Sequence, residues 1–151
     1  PDHIQFRFAD KKFVMVHGDY FNVSEFVYKS TNWSLKQKNF DATGADAIIA
    51  GHCGLPFNHS KNDRLWLNPG VIGMPANDGN PHVWYAILEE QDGQFEFTHH
   101  TMDYNYKLAN QHMQTDFLPQ EYARTLITGI WDNTEILPAY ESGLQGFGIQ
   151  L

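Results

Sequence analysis

The segment Ala47-Ile48-Ile49-Ala50-Gly51-His52 constrains this chain more than any other. Four apolar residues in a row, bounded by Gly44 and Gly51, are too few for a helix. They read as a strand buried on both faces, which demands neighbours on either side within a sheet. A histidine follows at once. In open α/β sheets the working groups collect just beyond the carboxyl ends of such strands, and His52 stands there between Gly51 and Gly54, close to backbone that carries no side chain. Phe13-Val14-Met15-Val16-His17-Gly18-Asp19 repeats the arrangement earlier in the chain.

Either histidine alone has a plain reading, a hydrogen bond to a neighbouring loop. Two of them, after successive buried strands and each beside a glycine, converge on one sheet edge, as the imidazoles of a transition-metal site do. Two donors do not complete such a site. Asp19 and Asp46 could add ligands or accept hydrogen bonds from them, although an Asp just before a strand also receives local backbone bonds. Cys53 could ligate as a thiolate, yet a small thiol beside Gly54 reads more simply as packing. His59, His82, His99, His100 and His112 follow no buried strand into a glycine loop and are read as surface or structural groups.

The pattern around these two points predicts a hairpin, with His3 to Phe8 alternating and turning through Ala9 to Lys12 into the strand Phe13 to Val16. Asp19 to Thr31 mixes aromatics and polar residues without a period and reads as loop. Asn32 or Ser34 caps a helix through Leu35 to about Phe40, ended by Gly44. A loop through Asn58, His59, Ser60 and Asp63 leads to a strand over Arg64 to Leu67, followed by an Asn68-Pro69-Gly70 turn. His82 to Glu90 and Phe95 to Met102 read as an antiparallel pair around Gln91-Asp92-Gly93. Helical spacing then appears over Tyr104 to Met113 and Gln120 to Ile130, before an apolar tail that can return to the body. The expected organisation is one unit over residues 1–151, with 103–151 as a helical tail.

Composition narrows the function. The 151 residues carry a net charge of -8 with no basic cluster, which gives no footprint for nucleic acid or an anionic membrane. No apolar stretch approaches the roughly 18 residues of a membrane span. A single cysteine permits no disulfide framework and points to a reducing, cytoplasmic setting. The chain begins at Pro1 directly in strand-like sequence, so a longer polypeptide is expected.

Taken in order, Val16-His17-Gly18, Ala45 to His52 with Pro56-Phe57, Leu67-Asn68-Pro69-Gly70-Val71-Ile72-Gly73 and Trp84 to Glu89 resemble the C-terminal half of the calcineurin-like metallophosphoesterases, in their bacterial phosphatase and phosphodiesterase branch. Gly129 to Leu137-Pro138 and Tyr140-Glu141 are similar to the tail some of them carry. The resemblance implies an α/β fold, part of a four-layer sandwich, with a centre of two divalent metals (Mn, Fe, Zn or Ni) acting on a phosphorylated substrate. It implies that His17 and His52, the latter as first histidine of a Gly-His-x-His motif, bind the same metal. The second histidine of that motif falls on Gly54, which has no donor. The family's N-terminal motifs, Asp-x-His, Gly-Asp-x-x-Asp and Gly-Asn-His, are not in this sequence.

The expectation is therefore metal-dependent hydrolysis of phosphomonoesters or phosphodiesters by a full-length protein, with this portion inactive alone. It is expected to self-associate or to pair with the N-terminal half. The alternative is a metallophosphoesterase-like domain that has lost catalysis and binds a ligand or partner.

Overall fold

The computed structural model describes all 151 residues, Pro1 to Leu151. Residues with apolar side chains on alternate sides build the central sheet. β1 (His3–Phe8) and β2 (Lys11–Val16) form the expected hairpin, and β3 (Ala47–Ala50) lies parallel to β2. β4 (Phe57–Lys61) and β5 (Arg64–Asn68) complete a five-stranded sheet of order β1-β2-β3-β5-β4. β3, buried at every position, sits in the middle with parallel partners on both sides, as an unbroken apolar run requires.

The two faces of this sheet carry separate cores. Val14, Val16, Ile48, Ala50 and Trp66 face α1 (Trp33–Thr43), which contributes Phe40, and the tail, which returns Trp131 and Leu137. Phe13, Ala47, Ile49, Leu65 and Leu67 face the other way. There β6 (Val83–Gln91) and β7 (Gln94–Met102), a separate two-stranded antiparallel sheet, lay Ala86, Leu88, Phe95 and Phe97 against them. Each fully buried aliphatic side chain contributes about 1.5–3 kcal/mol, so both faces are strongly committed. The order helix, mixed sheet, second sheet is the layered α/β architecture that the strand pattern implies.

α2 (Tyr106–Thr115) and α3 (Gln120–Thr128) pack on each other, with Asn110 Nδ2 donating to Ala123 O at 2.6 Å. A single turn, α4 (Ala139–Ser142), closes the chain. Several boundaries differ from the sequence reading, among them those of α2 and α3, for which the spacing predicts Tyr104 to Met113 and Gln120 to Ile130. α1 is longer at both ends, from the Asn32 cap, whose side chain accepts from Ser34 N, to a left-handed Gly44. The stretch after Phe57, read as loop, is a strand, because β5 supplies the ladder that its polar residues, Asn58 to Lys61, do not announce.

Lys36 of α1 is fully buried. Its ammonium donates to the carbonyls of Tyr28 (2.8 Å), Lys29 (3.2 Å) and Thr31 (3.3 Å) and lies 2.9 Å from His59 Nδ1. A helix side chain thereby pins the irregular segment that precedes it. Burial pushes the Lys36 pKa down to about 8, against the pull of Glu141. The folded state then releases this proton before the unfolded chain does, so stability rises as pH climbs from about 8 towards the ordinary lysine range. Urea unfolding at pH 8 and pH 9.5 is expected to show a higher midpoint at pH 9.5, and Lys36→Met is expected to abolish that rise. An unchanged pH dependence in the variant contradicts the assignment.

Candidate metal centre

Parallel pairing of β2 and β3 aligns Val16 with Ala50, and Gly51 N continues the ladder by donating to His17 O at 2.8 Å. The residues just past the two strand ends are thus held side by side. His17 Nε2 and His52 Nδ1 are 2.8 Å apart, with ring centroids at 4.7 Å. At that distance one ring donates an N–H and the other accepts.

The loop carrying His52 is tightly constrained. Cys53 N donates to Gly51 O at 2.8 Å, closing a three-residue turn centred on His52, whose φ of 62° is the rare, strained sense for such a turn. Asn68, fully buried at the end of β5, donates from Nδ2 to the same Gly51 carbonyl (2.9 Å) and contacts Cys53 Sγ at 3.1 Å. Phe26 lies on the His52 ring, centroids 4.3 Å apart. Behind His17, Gly18 has no room for a Cβ, which would lie 2.6 Å from Val23 O and 2.7 Å from Glu25 N. Burial, and secondarily the His17 ring, lower the pKa of His52, while backbone at Ser24 works the other way. Neutral imidazole is the form that ligates metal, so the lowered His52 pKa favours the ligating form.

The remaining candidates are occupied elsewhere. Asp19 Oδ1 accepts from Phe21 N (2.8 Å) and Asn22 N (2.6 Å), shaping the loop after His17. Asp46 accepts from Lys12 N at 2.8 Å and lies 3.9 Å from Arg64. Cys53 is 1% exposed, and burial pushes its thiol up to about 12, so it packs as a neutral group. His59 is engaged with Lys36. His99 donates from Nε2 to Asn68 O at 2.8 Å, which buttresses the end of β5. Gly54 has φ 74°, and a Cβ there would meet Trp131 Cζ2 at 3.4 Å. Its loop is built for a glycine that packs under Trp131, not for a second histidine.

No three His, Cys, Asp or Glu side chains converge as a metal cage. The donor chemistry of the His17–His52 pair suits a divalent transition metal, and two imidazoles are fewer ligands than such an ion takes. Sequence reasoning found both histidines but missed Phe26, which lies in an aperiodic stretch. It took Asn68 as a turn residue, which it also is: Oδ1 accepts from Gly70 N at 2.9 Å.

The mixed α/β fold, a sheet faced by a helix on one side and a second sheet on the other, matches that of solved metallophosphoesterase structures. Among solved structures, the chain is similar to a metallophosphoesterase from Sphaerobacter thermophilus, at 26% identity and a TM-score of 0.68, covering 86% of this chain and 59% of that one. It shares its fold with a hypothetical protein from Pyrococcus horikoshii, at 15% identity and a TM-score of 0.71, over 87% of this chain and 52% of the other. A Streptococcus pneumoniae protein described as a predicted phosphoesterase matches at 23% identity and a TM-score of 0.51, over 67% and 54%. Neither a protein-family model nor a curated protein matches the sequence. The chain spans 52% and 59% of the first two structures.

Asn68→Ala removes the donor that fixes the His52 turn and leaves Gly51 O with one bond fewer. It is expected to cost about 1–3 kcal/mol of stability and to raise the reactivity of the native Cys53 thiol towards a disulfide reagent. Unchanged unfolding and thiol kinetics contradict this role.

Proposed function

We propose that this chain is the C-terminal part of a metal-dependent phosphoesterase, in which His17 and His52 bind one divalent metal and a longer polypeptide supplies the remaining ligands. The observation that carries the reading is the convergence of His17 Nε2 and His52 Nδ1 at the ends of β2 and β3, in a chain similar to a metallophosphoesterase over 86% of its length. A divalent ion held by His17 and His52, Mn, Fe, Zn or Ni, would supply Lewis acidity towards phosphoryl oxygens.

The chain's own contribution is positioning. His17 and His52 present their ring nitrogens side by side, Phe26 limits rotation of the His52 ring, and Asn68 holds the strained turn in place. A phosphomonoester or phosphodiester is the substrate class. The second sheet supports the idea of a missing half: β6 and β7 pair only with each other, and Ile87 and Met102 are exposed on them. Open strand edges of this kind pair with further strands, from the N-terminal portion of the protein or from a second copy.

Gly54 favours a second reading, in which the domain no longer catalyses and binds a ligand or partner. The position that aligns with a family ligand holds a left-handed glycine packed against Trp131. The experiment compares the longer protein with its His17→Ala and His52→Ala variants on bis(4-nitrophenyl) phosphate and 4-nitrophenyl phosphate with added Mn²⁺. The enzyme reading predicts hydrolysis that falls at least about a hundredfold in either variant. Folded, metal-loaded protein without hydrolysis of either ester supports the binding reading.

A further inference from the structure

A cavity of about 210 Å³ lies between the C-terminal segment and the chain just beyond the His52 loop. Leu55, Phe57, Leu144, Phe147 and Ile149 give it mostly apolar walls, and Asn77 is set among them. Lys29 and Glu141 also line it, and both are engaged within the chain. Glu141 accepts from Ser30 N (2.9 Å) and Ser30 Oγ (2.7 Å), and the buried Lys36 ammonium balances its charge. Lys29 donates to Gln150 O at 3.1 Å. No buried charge is left over, and an ion entering these apolar surroundings would lose its hydration without full compensation.

Asn77 is the wall residue whose polar atoms are not all engaged. It is 4% exposed, and its oxygens tie three parts of the chain together. Oδ1 accepts from Trp131 N at 2.8 Å and from Gln145 Nε2 at 3.1 Å, while the backbone carbonyl accepts from Gly146 N at 2.9 Å. A backbone N–H only donates, so the bond from Trp131 fixes which end of the amide is oxygen. Nδ2, with two N–H groups, donates to nothing in the chain. Buried donors are ordinarily paired. The tie to Trp131 and the tail needs only the oxygens, so it accounts for the burial of Asn77 but not for an amide donor left over on a cavity wall. A donor among apolar and aromatic side chains is the complement of a neutral molecule with an apolar body and one acceptor oxygen. The volume is below the roughly 300–1,000 Å³ of a drug-sized pocket, which limits that body to about one ring.

We propose that this cavity binds a small neutral aryl carbonyl compound, its ring against Leu55, Phe57, Leu144 and Ile149 and its carbonyl oxygen accepting from Asn77 Nδ2. The site does not use the histidine pair and stands or falls without it.

The test titrates the 151-residue chain at pH 7 with acetophenone, with α-methylstyrene, which keeps the shape but has a methylene group in place of the carbonyl oxygen, and with benzoate and benzylammonium. NMR reads the affinity from the methyl signals of Leu144 and Ile149 and the contact from the side-chain amide protons of Asn77. Acetophenone is expected to bind at least about fivefold more tightly than α-methylstyrene or either ion, and to move the Asn77 amide protons downfield, which α-methylstyrene does not. Asn77→Asp keeps an oxygen for Trp131 N and Gln145 Nε2 while removing the donor, and it is expected to erase the preference for the ketone. The amide shift needs no variant, so it decides the case even where Asn77→Asp fails to fold. Leu144→Trp, at a half-exposed wall position, is expected to weaken all binding by filling the cavity without touching the amide. Equal affinity for acetophenone and α-methylstyrene overturns the proposal. So does tighter binding of benzoate or benzylammonium, an Asn77 amide signal that stays in place, a preference that survives Asn77→Asp, or no saturable binding of the ketone.

Discussion

The register of β2 against β3 is the constraint on which the rest depends. A parallel pair in which Val16 faces Ala50 delivers the next residues of both strands to the same edge at the same height, and a slip of one residue would turn every side chain to the opposite face. That slip is excluded by two cores at once. Val14, Val16, Ile48 and Ala50 are committed to the helix side, while Phe13, Ala47 and Ile49 are committed to the second sheet. The meeting of His17 and His52 is therefore a by-product of burial on both faces.

Around that register the chain places a strained element and its supports. His52 holds a positive φ inside a short turn, a conformation that persists only where neighbours over-determine it. Asn68 from β5, Phe26 from the loop after β2 and His99 from β7, acting through the Asn68 carbonyl, come from three separate parts of the sequence. Lys36 acts one step further out by fixing Tyr28 to Thr31, two residues beyond Phe26.

Much of this was legible in the residues. The short apolar run, the two His-Gly ends, the Asn32 or Ser34 cap with its Gly44 stop and the alternating hairpins each carry a local signal, and each element forms close to where that signal puts it, with the cap at Asn32. The signals failed where structure is imposed from a distance. β4 is a strand because β5 pairs with it, although Asn58-His59-Ser60-Lys61 shows no apolar alternation. Lys36 looks like any exposed helix lysine, and only the carbonyls of a neighbouring loop make its burial tolerable. Cys53 and Gly54 could be read as packing residues from size alone, but the reason for Gly54, a left-handed backbone beneath Trp131, needs a tail residue 77 positions away.

The central claim is that His17 and His52 act as one two-nitrogen donor set. Its most direct test is a titration of the chain with Zn²⁺, followed through the ring ¹⁵N signals of all eight histidines. The account predicts that the His17 and His52 signals move together, with a common midpoint, as their shared hydrogen bond is replaced by metal ligation, and that His52→Ala abolishes the response of His17. Separate midpoints for the two rings, or a response confined to other histidines, would contradict it.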